Sequence, residues 1–175
     1  MVDENWQIAG IVVSFLSFFT AIFLTFYIRF LDGKQRKRDE SFYITATMKD
    51  IQQLKDHMIN IQDLSECDDP IPNKNAQIEI TQKLIGYTEK NKKLIELLIS
   101  DTRFSMSKWM SLKDAESKDV EGFITNTNWV LDDYLPKIDE SKDTQMRRWS
   151  NYFKEFEKRK NESSKKMDIL ISKYS

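Results

Sequence analysis

The chain has 175 residues with 27 Lys and Arg, 28 Asp and Glu and one His, so its formal charge is close to zero. A general DNA- or RNA-binding protein would carry a basic excess, and a small disulfide-stapled domain would carry paired cysteines. This chain has neither, its one cysteine being Cys67.

Ile8 to Ile28 contains no charged residue and no Pro. As a helix this run rises about 31 Å, the thickness of a bilayer's hydrocarbon core. A cleaved signal peptide would want a basic start, a shorter apolar core and a small-residue cleavage site. The chain instead begins "MVDENWQ" and leaves the run through "RFLDGKQRKR". A retained transmembrane helix is therefore expected. Lys and Arg are absent before the run and clustered after it, at Arg29, Lys34, Arg36, Lys37 and Arg38. The positive-inside rule then places the N-terminus outside and residues 34–175 in the cytoplasm, with a single pass through the inner membrane. Trp6 and Tyr27 stand where interfacial aromatics anchor a span. The basic run "GKQRKR" satisfies the topology rule and is also suited to anionic lipid headgroups.

The span sorts its side chains. At 100° per residue, Ser14, Ser17, Ala21 and Thr25 fall within about 60° of Gly10, whereas Phe15, Phe19, Phe23, Phe26 and Phe30 fall at about 140–220°. Helices in lipid associate through close backbone approach and hydrogen bonding, so a small face marks a contact. Gly10, Ser14, Ser17, Ala21 and Thr25 are the expected packing face of a homo-oligomer, with the Phe wall toward lipid. The plainer alternative is an anchor whose Ser and Thr bond back to their own helix.

The rest is expected to be all-α, a stalk helix followed by a small cytosolic helical bundle. The predicted organisation is residues 1–31 as tail and span, 32–66 as basic segment and stalk, and 67–175 as the remaining bundle. From Lys37 to Leu64 the spacing of Ile44, Met48, Ile51, Leu54, Met58 and Ile61 predicts a seam-bearing helix. "ECDDPIPNKN" breaks it. A second helix is predicted over 76–100, with Ile78, Leu84, Ile85, Leu94, Ile95, Leu98 and Ile99 on its apolar face. Ser105 is a candidate cap for a short helix carrying Trp109 and Leu112. A further helix over 118–135 stacks Val120, Phe123, Ile124, Val130, Leu131 and Tyr134, and Pro136 stops it. The last helix starts near Ser141, with Met146, Trp149, Phe153 and Phe156 in rhythm and a bend or break expected at "KRKNESSKK".

No catalytic constellation is present, and the chain is expected not to be an enzyme. His57 is the single histidine, and it cannot build a usual zinc site with Cys67 alone. Phosphate-loop, dinucleotide, metalloprotease and serine-hydrolase motifs are absent, so no cofactor and no metal is expected. Adjacent pairs such as Asp132 and Asp133 diverge by about 100° on a helix and read as solvated faces.

Charge is uneven. Ser111 to Glu140 is strongly acidic and Ser141 to Lys166 strongly basic. The simplest account is two neighbouring helices pairing their charges. The alternative is an anion site, with guanidinium on phosphate and ring on base. Arg147, Arg148 and Trp149 form one such cluster, and Arg103, Lys108 and Trp109 a second.

The span Ile8–Ile28, the stalk after "GKQRKR" and a helical domain without a catalytic site together resemble the small single-span membrane effectors of type III CRISPR antiviral signalling, gated by cyclic tetra-adenylate. The resemblance is one of layout; no signature motif is matched and no binding residue is carried over. It implies an oligomer whose cytosolic domains bind a cyclic oligonucleotide and whose spans then permeabilise or depolarise the membrane. The competing expectation is a membrane-tethered scaffold or adaptor for a protein partner. Both share the lipid bilayer as a partner, and neither binds DNA or RNA generally.

Overall fold

Apolar residues at 3–4 spacing become helix in every segment that carries them. The computed structural model describes residues 2–66, 73–134 and 146–174, with side chains from 14 to 66, 73 to 134 and 151 to 174. The elements are α1 (Val2–Ser65), α2 (Lys74–Lys108), α3 (Asp114–Trp129) closed by a turn of π-helix (Val130–Tyr134), and α4 (Met146–Tyr174). Among the described residues there is no strand, so the protein is all-α. The chain divides into two units, Met1–Phe42 and Tyr43–Ser175.

The first unit is the N-terminal part of α1. From Ser14 onward its apolar side chains lie open, Phe15 at 62% and Phe23 at 71% exposure among them. This helix is long and apolar enough to cross a membrane, with a mean hydropathy of 1.7 over its span-length stretch.

The second unit buries the predicted seam. Met48, Ile51, Leu54, Met58 and Ile61 of α1 are almost fully enclosed, and Ile44 packs at the edge. They meet Leu84, Ile95, Leu98 and Ile99 of α2, and Val120, Phe123 and Ile124 of α3, in one core. Several buried hydroxyls bond to a carbonyl one turn back in their own helix. Thr102 Oγ1 donates to the Leu98 carbonyl at 2.7 Å, and Thr127 Oγ1 donates to that of Phe123 at 3.0 Å. Lys55 is 8% exposed and reaches the exposed carboxylate of Asp168 on α4, its stem lying on the core and its ammonium at the rim.

Four expectations are corrected. Helix α2 continues to Lys108, so Ser105 is not a cap; it is buried mid-helix and donates to the Asp101 carbonyl at 2.5 Å. Trp109 instead ends α2, its extended backbone breaking the ladder. Leu94 is 46% exposed, and Ile80 takes a place in the core that the sequence reading left empty. α3 begins at Asp114, where Asp114 and Glu116 in the first turn suit the positive end of the helix dipole. Finally, α4 runs through "KRKNESSKK" without a break. Its inward face is carried there by Ser163, which is buried, and by the half-buried stem of Arg159, whose guanidinium lies 4.5 Å from the Trp129 ring centroid. Pro136 and the expected start near Ser141 lie outside the described residues.

The π turn sets Val130, Leu131 and Tyr134 into the core together. Tyr134 is fully buried and stacks on Phe156, ring centroids 4.8 Å apart. Truncating Phe156 to Ala removes that ring from a closed core, a loss of roughly 3–5 kcal/mol. Chemical denaturation of the full chain in detergent is expected to show a lower midpoint and an unfolding free energy reduced by that amount, with helicity kept at low denaturant.

Candidate functional site

Arg103, Lys108 and Trp109 share the C-terminal end of α2, yet their side chains do not form a common anion site. The Arg103 guanidinium is held by Glu121 of α3, its Nη2 3.3 Å from Oε2. Lys108 Nζ sits 5.7 Å from the centroid of its helix neighbour Phe104. Trp109 is 3% exposed, so its ring has no open face on which a base could stack. The indole N–H donates to Ser111 Oγ at 3.1 Å, and the ring meets Tyr174 edge-on at 4.6 Å.

That contact belongs to a clamp. Glu116 accepts the Lys113 backbone N–H at 3.3 Å and the Tyr174 hydroxyl at 3.0 Å, and pairs with Lys173. These donors, Lys173 foremost, hold the Glu116 carboxyl below its ordinary range despite the opposing effect of burial. The cap of α3 and the end of α4 are thus tied around the same carboxylate, with Trp109 packed beneath Tyr174.

The acidic and basic stretches are neighbours, and they run antiparallel. Lys166 meets Asp119 at 2.6 Å and Lys173 meets Glu116, while Arg159 covers Trp129 further along α3. A cleft of about 130 Å³ between these helices is lined by Lys118, Asp119, Asn126, Glu162 and Lys166. Its mixed signs give an anion no net attraction. Arg147, Arg148 and Trp149 lie on the first turn of α4, and their side chains are outside the described residues.

His57 stands half-buried, its Nδ1 2.6 Å from the Tyr87 hydroxyl. Burial lowers the imidazole pKa from its ordinary 6.5, and the nearby Asp56 only partly offsets this. The imidazole tautomer sets which of the two groups donates in this hydrogen bond. Among the described residues no group of three His, Cys, Asp or Glu side chains is placed to hold a metal, and Cys67 is outside them.

On the span, Thr25 Oγ1 donates to the Ala21 carbonyl at 2.8 Å. A shallow groove of about 280 Å³ lies over Ala21 and Thr25, walled by Phe18, Ile22, Phe26 and Arg29. On the opposite face the Phe15 and Phe19 ring centroids lie 6.0 Å apart. Ser14 and Ser17 are exposed, and Gly10 lies where only the backbone is described.

Sequence reasoning missed the outer face of α2. Leu97 is 56% and Phe104 59% exposed, on a helix whose other side is core. A helix with apolar residues around most of its circumference is the available signal, and "LIELLISDTRF" carries it.

A histidine held neutral in the fold gives a pH dependence of definite sign. The unfolded chain takes up a proton at the ordinary imidazole pKa and the folded chain only at lower pH, so stability falls as pH drops through about 6.5. Asp50 acts oppositely and lower, because its raised carboxyl binds a proton more readily in the fold, above 3.8. Melting of the full chain is expected to weaken between about pH 7.5 and 5.5, and His57→Gln is expected to flatten that slope. No protein family, curated protein or solved structure matches this chain.

Proposed function

We propose that the chain is a single-pass protein of the inner membrane, N-terminus outside and residues 34–175 in the cytoplasm, whose helical domain is a non-catalytic adaptor for a protein partner. The observation that carries this reading over a cyclic-oligonucleotide effector is the burial of Trp109 inside the bundle, with the exposed Arg103 paired to Glu121 at its surface. A nucleotide needs an open cation and an open ring; here the cation faces Glu121 and the ring is core. The charge of α4 is likewise met in part by Asp119 and Glu116. In the same reading the spans self-associate through Gly10, Ser14, Ser17, Ala21 and Thr25. The exposure of Ser14, Ser17, Ala21 and Thr25 on the described span supports this, since small side chains let a second backbone approach closely.

Calorimetry of the full chain in nanodiscs against cyclic tetra-adenylate tests the choice. No binding at micromolar ligand is expected. Binding that Arg147→Ala and Arg148→Ala abolish would replace the adaptor by the effector. The detergent-stable oligomer of the same preparation is expected to weaken with Ser17→Ile or Ala21→Phe and to survive Phe19→Leu. Equal loss from both faces would detach assembly from the small residues.

A further inference from the structure

Helix α2 has two apolar faces, and the bundle uses one. Ile80, Leu84, Ile95, Leu98 and Ile99 point inward. On the outside stand Leu94, Leu97, Asp101 and Phe104, spaced 3, 4 and 3 residues apart, which is the seam of a coiled coil. Leu94, Leu97 and Phe104 are 46%, 56% and 59% exposed, and Asp101 is open to solvent. Tyr43 of α1 extends the apolar strip, its ring edge-on to Phe104 at 6.3 Å. Exposed apolar side chains aligned in one strip mark an interaction surface, unlike the same residues scattered singly.

The charge within the strip selects the occupant. Asp101 takes a seam position, and Asp50 of α1 lies near it. Burial pushes the Asp50 carboxyl up, Asp101 pushes it further, and Lys49 offsets this only in part. Neither carboxylate forms an ion pair among the described residues. Lys108, beside Phe104, is the cation at the far end of the strip. A second copy of α2 packed parallel and in register on this strip would set Asp101 against Asp101, and an antiparallel one would set it against Leu97, leaving both carboxylates in an apolar seam with no cation opposite. A like charge at a seam position works against self-pairing and for a partner of opposite sign. Anionic lipid is disfavoured on the same ground.

We propose that the outer face of α2, formed by Leu94, Leu97, Asp101 and Phe104 with Tyr43 and Asp50 beside it, docks an amphipathic helix of a partner protein that places a Lys or Arg opposite Asp101. The proposal rests on the adaptor reading and names the surface and the chemistry of its partner. The partner's apolar residues recur at 3–4 spacing, in the manner of helix-in-groove recognition. Its basic residue relieves the repulsion between Asp50 and Asp101.

The test uses the full chain in zwitterionic nanodiscs, with empty discs of the same lipid as the blank. The probes are two labelled heptad peptides, both Leu at the seam, one with Lys and one with Glu at the position that meets Asp101 and at the flanks. Fluorescence anisotropy is expected to show binding of the Lys peptide and a loss of about tenfold or more for the Glu peptide. Asp101→Lys is expected to reverse the order, and Leu97→Glu to remove both. Unchanged melting of these variants shows that the exposed substitutions left the bundle intact. Equal binding of both peptides, or indifference to Asp101→Lys, would reduce the strip to nonspecific apolar adhesion and overturn the proposal. Self-association of the wild type that Leu97→Glu removes and Ser17→Ile does not would make a second copy the occupant and overturn it equally. Absence of peptide binding sinks the surface alone, whereas binding of cyclic tetra-adenylate sinks the adaptor reading beneath it.

Discussion

The helical bundle closes on one phenol. Tyr134 is wholly buried, stacks on Phe156 of α4, lies 5.8 Å from the Trp129 ring of α3, and sits with its hydroxyl 3.3 Å from Ser65 Oγ at the end of α1. Burial pushes its pKa up to about 12, so it is a neutral donor at any physiological pH. The π turn delivers it: a straight α-helical continuation would carry residue 134 to a different azimuth. Three helices therefore meet at a single side chain, and Arg159 extends the contact by covering Trp129.

This explains which parts of the fold were legible in the sequence. Seams were, because burial on one side of a helix imposes a 3.6-residue period. Met48 through Ile61 and Val120 through Tyr134 show it plainly, and the structure buries them. Interruptions were not legible. "KRKNESSKK" looks like a break because its inward positions are Ser163 and the stem of Arg159, which fill space without being apolar. The end of α2 was missed for the complementary reason. Trp109 reads as a surface ring beside two cations, but its partner, Tyr174, is sixty-five positions further along the chain and no local pattern announces it.

The candidate anion site shows the same limit. Arg, Lys and Trp within a few residues carry the composition of a nucleotide site. Whether they face one ligand depends on acids elsewhere, here Glu121 for Arg103 and Glu116 at the Trp109–Tyr174 clamp. What remains outside the bundle is an apolar strip with carboxylates in it, and that directs the functional reading toward a protein surface.

The environment of Trp109 decides between a structural ring and a ligand platform most directly. Fluorine NMR of the fluorotryptophan-labelled full chain in nanodiscs, with the resonance assigned by Trp109→Phe, reads it alone. The account predicts a signal insensitive to a soluble paramagnetic quencher and unmoved by cyclic tetra-adenylate. A quencher-accessible resonance that shifts on adding the nucleotide would contradict it.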